Sequence, residues 1–260
     1  MIGVFDSGVG GLTVVREVVS QIPEQRIIYF GDTAHLPYGT KGENFVKTSS
    51  EKITKWLIDK GANIIVIACN TSSSWASDYL KEKFENVPIF EMVSPVAKEI
   101  DSLKKKKIGI IGTPGTIESK AYNKKLLEEN PNLEIFSKAC PLLVPLAEEG
   151  WIEEKATKEI IKKYLAPLEK EIEVLILACT HYPLLEKAIR EVLSDKIEIV
   201  NPAKSLAGQL RLFLKENPEF NSNSREEHQF YFSDKPYNLK KISELCFPEE
   251  INPVILKPLL

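Results

Sequence analysis

Histidine occurs three times in the 260 residues (His35, His181, His228), too sparsely for a histidine-based metal site. Cysteine is nearly as rare: Cys69, Cys140, Cys179 and Cys246 lie far apart and form no C-x-x-C pair. That spacing excludes a disulfide framework and a zinc ribbon, and it predicts free thiols. Neither sign of charge is in excess, with 34 basic against 37 acidic side chains and a net charge of −3. Nothing here suggests a nucleic-acid footprint or a basic membrane patch. No apolar run approaches the roughly 18 residues of a membrane span, and the opening MIGVFDSG has neither a charged nor a long apolar leader. A cytoplasmic location is therefore expected. Arginine is scarce too. None of Arg16, Arg26, Arg190, Arg211 and Arg225 lies in a motif, so neutral donors, not a bidentate guanidinium, are expected to hold any carboxylate ligand.

What is present is an alternation of short β-branched runs with longer amphipathic ones. Strands are predicted at 2–5, 26–30, 63–68 and 88–91, with helices at 12–20, 43–60 and 73–84 between them. This is the pattern of a parallel α/β unit. After a helix over 94–103 and the basic run Lys104–Lys107, read as a solvated helix end, the pattern restarts with strands at 108–111, 133–136, 174–178 and 197–200. Setting IGVFDS (Ile2–Ser7) against IGIIGT (Ile108–Thr113) gives an offset of 106. A duplicated unit is the reading, with chance likeness of short strands as the alternative. The first unit is expected to comprise residues 1–93 plus 205–260 and the second 94–204. The tail would return to the first unit through a helix at 205–215, the loop PEFNSNS, an alternating run at 227–232 and a helix at 239–245.

Two further segments repeat. IIVIACNTSSSWA (Ile64–Ala76) and LILACTHYPLL (Leu175–Leu185) each end an apolar run in Ala-Cys before polar residues, and their cysteines differ by 110 (179 minus 69). In parallel α/β units, ligands gather where a strand ends and the next helix offers unpaired N–H groups. A thiol placed there should have its pKa lowered towards neutrality by the dipole. Either cysteine alone could equally be a buried small residue; the repetition favours function.

The other motifs leave alternatives open. DSGVGGLT (Asp6–Thr13) follows a strand and precedes a helix, but Thr13 stands where a dinucleotide fingerprint needs Gly or Ala, and no Gly-Lys-Ser/Thr is present. Its glycines suit a tight turn and close approach of a small ligand, with Asp6 and Ser7 at the mouth or Asp6 as a helix cap. His181, two residues after Cys179, could be a general acid or base, or a plain hydrogen-bonding residue. GDTAHLPYG (Gly31–Gly39) is a shaped strand-end loop or an ordinary turn. In ACPLLVPLAEEG (Ala139–Gly150), Glu148 or Glu149 faces a site or ends a solvated helix. Two equivalent thiols from two equivalent halves suit a reaction that removes a proton from one face of a carbon and returns one to the other.

Together DSGVGGLT, GDTAHLPYG, ACNT, VPLAEEG and ACTHYPLL resemble the aspartate/glutamate racemase family, and within it the enzymes acting on glutamate. The resemblance runs from residue 6 to residue 185. It implies two similar parallel-sheet α/β domains related by a pseudo-two-fold axis, the active site in the cleft between them, and a homodimer. It also implies interconversion of L- and D-glutamate without a cofactor or metal, supplying D-glutamate for peptidoglycan. Carried over by position, Cys69 would act on D-glutamate with Asp6 assisting, and Cys179 on L-glutamate with His181 and Glu148 assisting. Substrate contacts would be Asp6, Ser7, Tyr38, Gly39, Asn70, Thr71, Thr113, Thr180 and His181. Three readings from other classes remain open on the residues alone. A Cys-dependent amidohydrolase would use Cys179 and His181, a pyridoxal-phosphate racemase would need a Schiff-base lysine, and a binding protein would need neither thiol.

Overall fold

A computed structural model of the chain describes residues 1–221, 227–247 and 251–255; Arg225 and the end of the PEFNSNS loop lie outside the described residues. The first run of elements is β1 (Ile2–Asp6), α1 (Leu12–Gln21), β2 (Ile27–Gly31), α2 (Glu43–Asp59), β3 (Ile64–Ile67), α3 (Asn70–Lys83), β4 (Ile89–Glu91) and α4 (Val93–Leu103). The second is β5 (Lys107–Gly112), α5 (Pro114–Glu118), α6 (Ala121–Glu129), β6 (Glu134–Ala139), α7 (Leu143–Glu148), α8 (Lys155–Leu165), β7 (Val174–Ala178), α9 (Glu186–Val192) and β8 (Glu198–Val200). The tail adds α10 (Pro202–Glu216), β9 (Gln229–Phe232), α11 (Leu239–Cys246) and β10 (Pro253–Ile255).

All strand pairings are parallel, in two sheets of order β4-β3-β1-β2-β9-β10 and β8-β7-β5-β6. Every residue of β1, β2, β3 and β7 is buried, which is why these strands read as unbroken apolar runs: helices cover both faces of a parallel sheet. The two sheets share one plan, 4-3-1-2 in the first and 8-7-5-6 in the second. Register repeats as well, since Ile2 pairs with Ile64 and Ile108 with Val174, offsets of 106 and 110. Shared strand order and register support duplication over chance likeness.

Helices α2 and α3 close one apolar layer on the first sheet, with Phe5, Phe30, Ile53, Leu57 and Ile67 in it. A larger core joins the sheets: Val4, Leu12 and Val15 lie in one cluster with Leu175, Leu177, Leu206 and Leu210. Each such buried aliphatic side chain contributes roughly 1.5–3 kcal/mol. In the tail, β9 pairs with β2, β10 pairs with β9, and α11 packs on α1.

Two helices begin three residues before their predicted starts, for a shared reason. Asn201 caps α10 through Oδ1 on the Ala203 N–H at 3.0 Å, with Pro202 in the first turn. Cys69 caps α3, its Sγ accepting from the Ser72 N–H at 3.5 Å, so the row of hydroxyl residues is a buried first turn and not a loop. In the second unit the hydrophobic pattern delimits the strands but not the helices, three of which (α5, α7, α9) run only five to seven residues. That is too short for periodicity to show.

Candidate active site

Parallel strands all point their carboxyl ends the same way, and that gathers the motifs. Asp6 ends β1, Tyr38 and Gly39 follow β2, Cys69 to Thr71 follow β3, Thr113 follows β5, and Cys179 to His181 follow β7. One cavity, about 420 Å³ with the solvent at its mouth included, is lined by Ser7, Tyr38, Gly39, Cys69, Asn70, Thr71, Thr113, Glu148, Cys179, Thr180 and His181. Gly8, Leu36, Pro37 and Val144 complete the lining. Gly8 belongs to the glycine turn expected to let a small ligand approach, whereas nothing in the residue types of Leu36, Pro37 and Val144 marks them for chemistry. Among the described residues, neither lysine nor arginine is in the lining.

Asp6 is the candidate that does not line the cavity. It is fully buried, and its Oδ2 accepts from the Gly8 and Gly11 N–H groups at 3.2 and 2.9 Å, while Oδ1 has no hydrogen-bond partner among the described residues. Burial raises its pKa against the opposing pull of His181 and the glycine N–H donors.

The two thiols occupy different settings. Cys69 is 5% exposed, with Ser7 Oγ at 3.8 Å. Burial, and then the nearby Asp6 carboxylate, push its thiol up to about 12. This corrects the expected fall towards neutrality, because desolvation outweighs the single N–H donor of the helix end. Cys179 does not stand at an α-helix N-terminus at all; a 3-10 turn over Tyr182–Leu185 follows it, and α9 starts only at Glu186. Its Sγ lies 3.9 Å from His181 Nδ1, and His181 Nε2 lies 3.0 Å from Glu148 Oε1. Burial opposes charge on this imidazole, but Cys179 and Glu148 on its two nitrogens overcome that and bring it up to about 10. Of the two candidate carboxylates, Glu148 reaches the site and Glu149 is exposed.

Supporting contacts tie the named residues to Thr13, Asp32, Thr116 and Ser233, for which the motifs assign no role. Thr71, Thr113 and Thr116 form a hydroxyl triangle with Oγ1 separations of 2.9, 3.2 and 3.0 Å, joining α3 to α5 across the cleft. Gly39 packs so closely there that a Cβ would sit 2.5 Å from Thr113 Cβ. Thr13 Oγ1 lies 2.8 Å from the Thr180 carbonyl, tying α1 to the Cys179 segment. Asp32 organises the GDTAHLPYG loop: it accepts from Tyr38 OH at 2.6 Å and Ser233 Oγ at 2.7 Å, and faces His35 Nδ1 at 2.9 Å. Burial and Asp32 hold the Tyr38 phenol well above its ordinary pKa, so it remains a donor.

Two sheets of one plan, with a cysteine from each lining a shared cleft of neutral donors, are the architecture of the two-domain amino-acid racemases. The model of the Asp/Glu/Hydantoin racemase family matches residues 2–210. A glutamate racemase of Aquifex pyrophilus is 43% identical over 245 residues, 94% of this chain and 92% of that protein. One of Aquifex aeolicus is 39% identical over 255 residues, 98% and 96% of the two chains. The crystal structure of the Francisella tularensis glutamate racemase, in complex with D-glutamate, superposes with a TM-score of 0.92 at 35% identity, covering 99% of this chain and 97% of that one. The chain belongs to this family and is an isomerase, an amino-acid racemase acting on glutamate.

Proposed function

We propose that the enzyme interconverts L- and D-glutamate by a two-base exchange at the α-carbon, using Cys69 and Cys179 from opposite faces and no added cofactor. The observation that carries the reading is that two Ala-Cys segments at equivalent places of two equivalent sheets line the same cavity. Running from L-glutamate, Cys179 takes the α-proton as thiolate, with His181 as its neighbour and Glu148 holding the ring. The Cys69 thiol, kept protonated by burial, delivers its proton to the other face. Running from D-glutamate, the roles reverse, with Asp6 beside Cys69. A proton must then pass from one sulfur to the other, through solvent, before the next turnover in the same direction.

Ser7, Asn70, Thr71, Thr113, Thr180 and the backbone at Tyr38 and Gly39 supply the donors for two carboxylates. Neutral donors hold the substrate without fixing extra positive charge next to the thiols. The two units, 1–93 plus 205–260 and 94–204, would carry one thiol each, and the pairing of β9 with β2 supports the return of the tail to the first. As an enzyme of bacterial type it would work in the cytoplasm as a homodimer, supplying D-glutamate for peptidoglycan.

The test is isotopic. L-Glutamate converted in deuterated water to low extent should yield D-glutamate carrying α-deuterium while recovered L-glutamate stays largely unlabelled. Product retaining its original proton would sink the two-base reading. Cys69→Ala and Cys179→Ala should each abolish racemisation, whereas Cys140→Ala and Cys246→Ala should not. The Cys179, His181, Glu148 chain also has the order of a hydrolase triad, and hydrolysis of an amide surviving in Cys69→Ala would favour that second reading.

A further inference from the structure

Asn70 opens helix α3 beside Cys69, lines the cleft and is 3% exposed. One end of its amide is fixed: Tyr122 OH donates to Oδ1 at 2.6 Å. The other end, Nδ2, is buried and has no partner among the described residues. Buried donors are nearly always satisfied, and one left open in a ligand cleft points to a ligand that completes it. Turning the amide over would set Nδ2 against the phenol and oblige the phenol to donate elsewhere. The remaining acceptor, the Met92 carbonyl, is 3.4 Å away, too long for a good O–H···O bond. Burial holds the Tyr122 phenol well above its ordinary pKa, so it donates at any working pH.

Tyr122 is not a residue of the Asn70 unit. It lies on α6, 2% exposed, in the apolar cluster of the second sheet with Val96, Leu126 and Ile176. Its hydroxyl therefore crosses from one unit to orient a side chain of the other.

We propose that Tyr122 is a positioning residue for the racemase reaction: by holding Asn70 Oδ1 it turns Nδ2 into the cleft as a donor to a glutamate carboxylate. Because it reaches across from the second unit, this donor is aimed only while the two units are docked. The inference rests on the reading of Asn70 as a substrate contact. With no lysine or arginine in the lining, each oriented neutral donor carries a larger share of carboxylate binding.

Steady-state kinetics with both enantiomers tests it. Asn70→Ala should raise KM about tenfold or more, the loss of a hydrogen bond to a charged group. Tyr122→Phe, which keeps the ring in its cluster, should raise KM about threefold to tenfold with kcat within about threefold. The double variant should match Asn70→Ala, since the hydroxyl acts through the amide. Additive effects would overturn the proposal. Asn70→Asp, with Tyr122 intact, should raise KM above that of Asn70→Ala because a carboxylate replaces the donor; a KM below it would mean that oxygen faces an ammonium, and would also overturn the proposal. An unchanged KM in Asn70→Ala would remove the substrate-contact reading itself. A raised KM there with an unchanged KM in folded Tyr122→Phe would remove only the positioning role. Should Tyr122→Phe fail to fold, Asn70→Asp still decides which atom faces the substrate.

Discussion

Gly10→Ala is a one-methyl perturbation aimed at the Cys179 side. A Cβ at Gly10 would lie 2.5 Å from His181 Cε1, 2.6 Å from its Nδ1 and 2.5 Å from Thr180 Oγ1. Ordinary non-bonded contact is about 3.5 Å or more, so the imidazole must retreat by about 1 Å. The ring has little room to do so cheaply, since it is pinned between Glu148 and Cys179 and is 5% exposed. A displacement of that size at a reacting group costs on the order of a hundredfold in rate. Overpacking also destabilises by about 1–3 kcal/mol, a few degrees of Tm for a chain of this size, so rates are measured well below the transition. Enantiomers have equal free energies in water, and kcat/KM must therefore fall equally in both directions, about a hundredfold. The asymmetry shows in primary isotope effects: with α-deuterated L-glutamate the effect should grow, because abstraction by Cys179 becomes the slow step, and with α-deuterated D-glutamate it should shrink. Gly42→Ala, where a Cβ meets nothing within 4 Å, is the control. Activity of Gly10→Ala within about threefold of the unchanged enzyme, or isotope effects that rise alike for both enantiomers, would refute the placement of His181 at the Cys179 step.

Two other predictions concern stability. His181 has its folded pKa raised from 6.5 to about 10, so its pairing stabilises fully below pH 6.5 and is lost as pH rises through about 10; the Tm gap between the unchanged enzyme and His181→Asn should close over that window, and a gap independent of pH would contradict the pairing. Gly208 lies inside α10, where a Cβ would meet only Gln21 Oε1 at 3.8 Å, so Gly208→Ala should stabilise by about 0.5–1 kcal/mol, read as a rise in Tm, and a fall in Tm would contradict the open space there.

How much of this was legible in the chain varies with how local the cause is. The central strands were legible because burial on both faces writes itself as an unbroken apolar run, as in Ile64–Ile67 and Val174–Ala178. Duplication was legible from six-residue strings because strand register repeats with the same offsets. The start of α3 was not, since Ser and Thr rows ordinarily mark loops, and only the thiol cap and burial make them a helical turn. The site residues named from motifs gather at one cleft because motifs sit at strand ends. Tyr122 and Thr116 carry no such mark, and Thr13, though it ends the DSGVGGLT motif, has no role there; what gives each its place is a contact with a residue far off in sequence. The direction of the Cys69 shift was illegible because its largest cause is the burial that the tertiary packing imposes on the thiol, and the next is the Asp6 carboxylate, which comes from a strand 63 positions earlier (69 minus 6).

Duplication supplies two thiols in equivalent places, yet a two-base exchange at any instant needs one sulfur charged and the other protonated. Identical settings would leave that choice undetermined; the two settings here are not identical. Cys69 caps an α-helix beside a buried carboxylate and is held as thiol, while Cys179 precedes a 3-10 turn beside an imidazole whose pKa its partners raise. On the proposed two-base reading, this leaves an acid on the Cys69 face, the arrangement that conversion of L-glutamate requires. D-Glutamate needs Cys69 as thiolate, which with a pKa of about 12 is present in about one molecule in ten thousand at pH 8. Since the equilibrium constant is one, this disadvantage cannot alter the final ratio and must be recovered within the bound state. The substrate ammonium is the cation available to do so: placed near Cys69, it favours the charged sulfur that burial and Asp6 disfavour. Binding of D-glutamate is thus coupled to release of a proton from Cys69, and its affinity should strengthen as pH rises, more steeply than that of L-glutamate.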